Sequence, residues 1–381
     1  MMHDEPLSRW VPLPAGLRQT MPETNPNLTT SFLKRPVCVR FMSRVTIRDV
    51  AKKAGVGVGT VSRVLNNSPQ VSEETYQRVT AAIRELDYRP SSVARQLSLG
   101  GRTLAVGIIV PFFTRPAFMG RLQGVEAALT QTKYDLILYN VETPEQRDRL
   151  FRHVPQEGRV DGLLSIALVP PRAVIDYCRN VELPLVLVDA DHPELPSIRM
   201  DDFGGAHQAI SYLIELGHRK IAFVSDIIET DFGSFATKRR FAGYRAALEE
   251  HGIPFREELV KQGEYSRLTA FNLTSDLLKQ PDLPTAIFAT SDTLALGVIE
   301  AIRSAGLRVP RDISVVGYDD IDIATSFNLT TIHQPLYQSG VEGVEALLQL
   351  LDNGLQSSTV TSYTLPVHLV IRETTSPPSV S

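Results

Sequence analysis

From Thr103 onward the chain alternates short apolar runs with stretches of helical pattern, and no other feature restricts its fold as strongly. LAVGIIVP, YDLILYNV, VDGLLSIA and LPLVLVDA form one set of runs; RKIAFVSD, ELVKQG, TAIFATSD and ISVVGYDD form a second. Runs apolar on both alternating positions belong to strands covered on both faces, as in parallel sheets flanked by helices. Two sets predict two similar α/β lobes. The chain is expected to pass between them near Met200, Thr331 and Thr361, giving one lobe from about 103–200 and 334–360 and another from about 201–331 and 361–375, with a tail at 376–381. In such sheets ligands bind at the carboxyl ends of the strands, here facing a cleft between the lobes.

Ahead of this core, VTIRDVAKKAGVGVGTVSRVLN (Val45 to Asn66) reads as two short helices broken at a glycine. Ile47, Val50, Ala51 and Ala54 form an apolar helical stripe. Thr46 with Asp49 has capping-box spacing, with Asp in place of Glu or Gln. Gly55 can take the left-handed backbone of a sharp stop. The second helix is expected to bury Val61, Val64 and Leu65 and to expose Gly59, Thr60 and Arg63, which makes the pair a helix-turn-helix. The glycines here do not form a phosphate loop. The G-x-G-x-x-G spacing fails at Thr60 and at Ser62, and a helix rather than a strand precedes them. Val71–Leu86 reads as a third helix, capped by Ser72, with Val79, Ala82, Ile83 and Leu86 inward. Tyr88-Arg89-Pro90 ends it. Ser91–Leu99 is a short amphipathic segment, either a plain linker or a hinge helix too short to be stable without a partner.

Charge follows the same division. Residues 44–102 carry +5, residues 1–43 carry +2, and the remainder carries −11. A small basic domain joined to a large acidic one suits a reader of a polyanion. Residues 1–43, with scattered prolines and little periodicity, are expected to be disordered, and Met42 is a candidate start. No run reaches the length of a membrane span, and no signal peptide is expected. Two cysteines, Cys38 and Cys178, make neither a disulfide framework nor a metal cluster, as in a reducing cytosol.

TIRDVAKKAGV, TVSRVLN, VSEETYQRV and LDYRPSSVARQL, in this order and spacing, resemble the headpiece of the LacI/GalR (lactose-repressor) family of bacterial transcription regulators. LGHRKIAFVSD, FAGYRAAL, TSDTLALGVIEAIRSAGLRVPRDISVVGYDD and LTTIHQP extend the resemblance, which covers about residues 44–375. It implies a helix-turn-helix headpiece over 44–90, a hinge helix over 91–102 and a two-lobed periplasmic-binding-protein-like core over 103–375.

The resemblance also implies roles. Val58, Gly59 and Arg63 face DNA bases, with Thr60 and Ser62 near phosphates; Thr46, Asn66 and Tyr88 join the DNA contacts. In the hinge, Leu97 wedges into the minor groove with Ala94 beside it. Arg48, Lys52, Lys53 and Arg78 are phosphate candidates. Gly57 and Gly59 depart from the family's usual Ser and larger reading residue. Gly59 within a helix costs about 1 kcal/mol against Ala and offers no side chain to a base. Selectivity is therefore assigned to Arg63, which suits guanine, and to Val58, unless Val58 packs in the core.

In the cleft, Asp292 is either a hydroxyl acceptor for the effector or a plain helix N-cap, and Arg240 is either a ligand contact or a solvated arginine beside Lys238 and Arg239. Phe112, Phe113, Arg115 and Phe118 either line the rim of the first lobe or, for the rings, join its core. Asp189 and Asp319 end strands and face the cleft or begin turns. No nucleophile elbow, metal-spaced His/Cys set or paired carboxylates point to an enzyme, and no cofactor or metal is expected. The expected function is a cytoplasmic, ligand-responsive repressor. It binds a palindromic double-stranded operator as a homodimer and answers to a carbohydrate effector. A tetramer is open, although no heptad segment follows the core. The alternative is a solute-binding protein of a transport system, which leaves the headpiece unexplained.

Overall fold

The computed structural model describes residues 45–65, 68–88, 102–228, 235–354 and 362–379. Among these, no helix is long and apolar enough to cross a membrane. The chain divides into two compact units at Arg89 and Pro90.

The first unit holds three helices, α1 (Ile47–Ala54), α2 (Val58–Leu65) and α3 (Glu73–Glu85). The expected capping box is formed. The Asp49 backbone N–H donates to Thr46 Oγ1, and the Thr46 N–H donates to Asp49 Oδ2 at 2.8 Å. Gly55 closes α1 at φ 65°, a left-handed conformation that costs glycine little. The Ser72 side chain caps α3 as expected. Val50, Ala51, Ala54, Val61, Val64, Val79, Ala82 and Tyr88 form the core, while Leu65, Ile83 and Leu86 are only half-buried at its edge.

The second unit has two six-stranded sheets. The first lobe contains β1 (Ala105–Pro111), α4 (Pro116–Thr130), β2 (Asp135–Val141), α5 (Pro144–His153), β3 (Gly162–Ile166), α6 (Arg172–Asn180), β4 (Leu185–Val188) and β5 (Ser197–Met200). The second contains α7 (Asp202–Glu215), β6 (Ile221–Asp226), α8 (Phe235–Glu250), β7 (Val260–Gly263), α9 (Arg267–Leu277), β8 (Ala286–Ala289), α10 (Asp292–Ser304), β9 (Ser314–Asp319), α11 (Asp322–Ser326) and β10 (Thr330–His333). Helix α12 (Leu336–Asn353) then returns to the first lobe, followed by β11 (Tyr363–Leu365) and β12 (His368–Val370). The strand orders are β11-β5-β4-β3-β1-β2 and β12-β10-β9-β8-β6-β7. All pairs are parallel except β10 with β12.

Each sheet has a core on both faces, because alternate residues of a strand point opposite ways. In β1, Val106, Ile108 and Val110 join one cluster, and Ala105 and Ile109 the other. In β8, Ala286 and Phe288 oppose Ile287 and Ala289. Helix α12 belongs to the first lobe through Val344, Leu347 and Leu350. It crosses α4 at close range, since a Cβ on Gly124 would lie 1.9 Å from the Tyr337 carbonyl oxygen and one on Gly340 would lie 2.0 Å from that of Arg121.

The chain passes between lobes after β5, after β10 and between β11 and β12. The last crossing differs from the expectation near Thr361. Tyr363–Leu365 still pairs with β5, and only from His368 does the chain join the second sheet.

Candidate functional site

In the headpiece, α2 presents Val58, which is 42% exposed and so does not pack in the core. Gly59 and Arg63 are exposed beside it, with Thr60 and Ser62 half-buried. Nothing blocks a larger side chain at Gly59, because no atom lies within 4 Å of where its Cβ would be. Thr46 is exposed, but its hydroxyl donates to Asp49 at 2.7 Å. Tyr88 is only 7% exposed and sits in the core rather than on the reading face. Arg48, Lys52 and Arg78 are exposed, whereas Lys53 pairs with Glu85 at 2.8 Å. Asn66, Ala94 and Leu97 lie outside the described residues, as does the segment expected as a hinge.

In the core, the C-terminal ends of both sheets converge on one ladder of buried polar side chains. Asp189 follows β4, and its carboxylate lies 2.8 Å from Arg121 of α4. Arg121 also donates to Gln334 Oε1 at 3.4 Å. Gln334, in the crossing between β10 and α12, donates through Nε2 to Asp319 Oδ1 at 2.6 Å. Asp319, the last residue of β9, lies 3.7 Å from Arg240 of α8. Arg240 donates to Asp202 Oδ1 at 2.8 Å and to the Thr290 carbonyl at 2.5 Å, and its guanidinium lies 3.7 Å from the centre of the Tyr318 ring. The ladder therefore runs from one lobe to the other.

Three carboxylates share two guanidiniums in this ladder, and water scarcely reaches it. Burial pushes the Asp189 and Asp319 carboxyls up to about 6, against the pull of Arg121 and Arg240. Burial alone would favour loss of the Arg240 charge, but Asp202, Tyr318 and the other two carboxylates outweigh it and hold the guanidinium protonated. Asp202 Oδ2, Arg121 Nε, Thr290 Oγ1 and the Tyr318 hydroxyl have no protein partner. Buried polar atoms left over in this way suit a bound polar molecule or ordered water. Asp189 and Asp319 also adopt positive φ, 57° and 110°. Such backbone is uncommon outside glycine and tends to gather at binding sites.

Asp292 is fully buried and is not a helix cap: Ser291 caps α10, its side chain accepting from the Leu294 N–H. Asp292 Oδ1 accepts from Thr331 Oγ1 at 2.5 Å and Oδ2 from the Ile321 N–H at 2.9 Å. Its carboxylate thus ties down the loop after β9. Burial first, then the neighbouring Asp319, raise its pKa well above the usual range, with Thr331 and Ile321 pulling the other way. Arg240, expected as either a ligand contact or a solvated arginine, is buried in the ladder, unlike its exposed neighbour Arg239.

Phe112, at φ 43° after β1, stacks on Arg115. Phe113 and Phe118 pack against the first-lobe core. Tyr265, following β7, reaches Arg115 from the second lobe at 4.2 Å. Tyr265, Arg121, Gln334 and Asp202 were not among the expected site residues. Arg121 had a signal, a lone charge on the stripe of α4 that also carries Val125 and Leu129. Tyr265 and Gln334 gave none, because only the tertiary fold brings their loops to the cleft.

Residues 46–91 match the bacterial regulatory proteins of the lacI family, and residues 210–375 match a periplasmic binding protein-like domain. The chain is 36% identical over 334 residues to the HTH-type transcriptional repressor PurR of Pectobacterium carotovorum subsp. carotovorum, covering 86% of this chain and 95% of that protein. It is 31% identical to catabolite control protein A of Priestia megaterium, over 87% and 99% of the two chains. Among solved structures, the Lac repressor dimer bound to operator and the anti-inducer ONPF aligns with a TM-score of 0.76 at 31% identity, over 88% of this chain and all of that one. The complex of the regulator CelR with cellobiose aligns at 0.63 and 31%, over 87% of this chain and all of that one. Headpiece and core are thus matched together along nearly the whole length of these relatives, and the chain belongs to the LacI family of bacterial regulatory proteins.

Proposed function

We propose that this chain is a ligand-responsive transcriptional repressor, which binds a palindromic operator as a homodimer and is controlled by a carbohydrate or carbohydrate derivative in the interlobe cleft. One observation carries the reading. A helix exposing Val58, Gly59 and Arg63 is joined in one chain to a core whose two sheets aim their carboxyl ends at a shared polar ladder. Repressors among the relatives, an operator-bound dimer and a cellobiose complex support it. Neither a transport protein nor an enzyme needs the headpiece, and a regulator that acts on bacterial DNA works in the cytoplasm.

Arg63 would supply a bidentate contact to guanine and Val58 an apolar contact to a thymine methyl, while Arg48, Lys52 and Arg78 supply salt-dependent affinity. An effector that binds one lobe arrangement better than another shifts DNA affinity by that difference, typically about 1–3 kcal/mol. Asp189, Gln334 and Asp319 offer the acceptors and donors that sugar hydroxyls need.

The test is selection from a random duplex library with the full chain, followed by anisotropy of the selected DNA across salt concentrations. Enrichment of an inverted repeat that a sugar then releases is the expected result. Salt-sensitive binding without enrichment, with and without a metabolite pool, would overturn the repressor reading.

A further inference from the structure

Three arginines line the cleft, and Arg115 differs from the other two. Arg121 is paired with Asp189 and Arg240 with Asp202. The Arg115 guanidinium instead lies 3.9 Å from the centre of the Phe112 ring and 4.2 Å from that of Tyr265. Among the described residues it makes no hydrogen bond and no ion pair. Rings stack on the faces of a guanidinium, while its five N–H donors lie in the plane. Among the described residues the donor edge is therefore left without a partner.

This arrangement removes water from a cation without bringing a counter-charge into contact with it among the described residues. Burial pulls the Arg115 pKa down, and Tyr265 and Asp226 only partly oppose it. Thr237 already donates to one Asp226 oxygen at 2.6 Å. An unpaired, partly dehydrated donor group is costly, and a planar oxyanion meeting it edge-on would offset that cost with two charge-assisted hydrogen bonds.

We propose that Arg115 recognises an oxyanion and that the effector is an acidic carbohydrate, a sugar phosphate or a sugar acid, whose charged group meets the in-plane edge of this guanidinium. The proposal rests on the reading of the cleft as an effector site, and it gives that effector a charge and an orientation. Asp189, Asp202 and Asp319 repel an anion from the floor of the cleft, so the charged end turns toward Arg115 and the hydroxyls toward the ladder. Phe112 belongs to the first lobe and Tyr265 to the second, so the ring pair exists only when the lobes are together. An anion held there favours that arrangement over any other.

The experiment is calorimetric titration of the full chain with a panel of pentoses and hexoses. Each is offered as the neutral sugar, its phosphate and its uronic acid, with inorganic phosphate alone as a further arm. The expected result is that phosphates or uronic acids bind roughly ten- to hundredfold tighter than the parent sugar. Arg115→Gln should collapse that ratio toward one, and Arg115→Lys should keep part of it. Which acidic series binds identifies the source of the oxyanion. A neutral sugar that binds as tightly as its acidic forms overturns the proposal, as does a panel in which no acidic member binds, or a ratio that survives in Arg115→Gln. Operator selection on the same preparation is a separate readout, so failure of the repressor reading is seen independently of failure at Arg115.

Discussion

Arg121 of α4 and Asp189 at the end of β4 form an ion pair at 2.8 Å, with only about 1% of the arginine side chain in contact with water. Breaking such a pair from one side leaves a charge with nothing to balance it. Arg121→Met should cost about 3 kcal/mol, the low end for a broken buried pair because Asp189 can take up a proton. Arg121→Met combined with Asp189→Asn should recover most of that loss. Urea unfolding of the three variants checks this, and a double variant no more stable than the single one would mean that the pair is held for its shape, not its charge balance.

The excess carboxylate of the ladder predicts a pH dependence. Asp189 and Asp319 titrate near 6 in the folded chain and near 3.9 unfolded. The folded state thus holds protons that the unfolded state has released between about pH 4 and 6, and the stability these groups contribute falls as pH rises through that window. His218, whose burial lowers its pKa, acts in the opposite sense, so the informative quantity is a difference. Asp319→Asn should flatten the decline in urea midpoint between about pH 4 and 6. A decline of equal slope in the variant would place the proton elsewhere.

Arg63 is exposed on α2, free to reach a base edge. Arg63→Ala should weaken operator binding by about 1–3 kcal/mol and random-duplex binding much less. Equal losses on both DNAs in anisotropy titrations would make Arg63 a phosphate contact.

Gly124 and Gly340 let α4 and α12 approach until backbone meets backbone. A methyl group at either has no flexible neighbour to displace. Gly124→Ala should therefore destabilise the core by about 1–3 kcal/mol, as overpacking does. Thermal melts would show it, and an unchanged midpoint would mean the two helices slide apart at little cost.

Asp292 anchors Thr331 and the Ile321 N–H. Asp292→Ala leaves both donors without an acceptor and should cost about 1–3 kcal/mol of stability, with effector affinity falling because the loop that follows Asp319 is freed. Lost effector affinity at full stability would instead make Asp292 a direct ligand acceptor.

The sequence was most legible where a local rule has no rival. Thr46, Asp49 and Gly55 delimit α1 by capping chemistry alone, and the apolar runs around Ile108 and Phe288, short and rich in branched or aromatic residues, are strands buried on both faces. Short strands such as β5 and β11 were not read, because SIRM and YTL carry no run long enough to stand out and gain their form from pairing with each other. The cleft was legible in part for a similar reason. Strand ends mark Asp189 and Asp319, but nothing local distinguishes a carboxylate that faces a ligand from one, like Asp292, that fastens a loop. The resemblance placed Tyr88 at the DNA, whereas its ring closes a core with few other large side chains.

Three crossings between lobes also order events in time. The first-lobe core needs Val344, Leu347 and Leu350 from α12 and Leu365 from β11, all made after the ten elements of the second lobe that precede them. During synthesis the first sheet therefore waits with one face covered only in part, by Val125 and Leu129 of α4, until nearly the whole chain has left the ribosome. A message cut short even by the last forty or so codons would yield a chain with neither lobe closed, and such a product would be material for chaperones and proteases rather than a half-functional regulator.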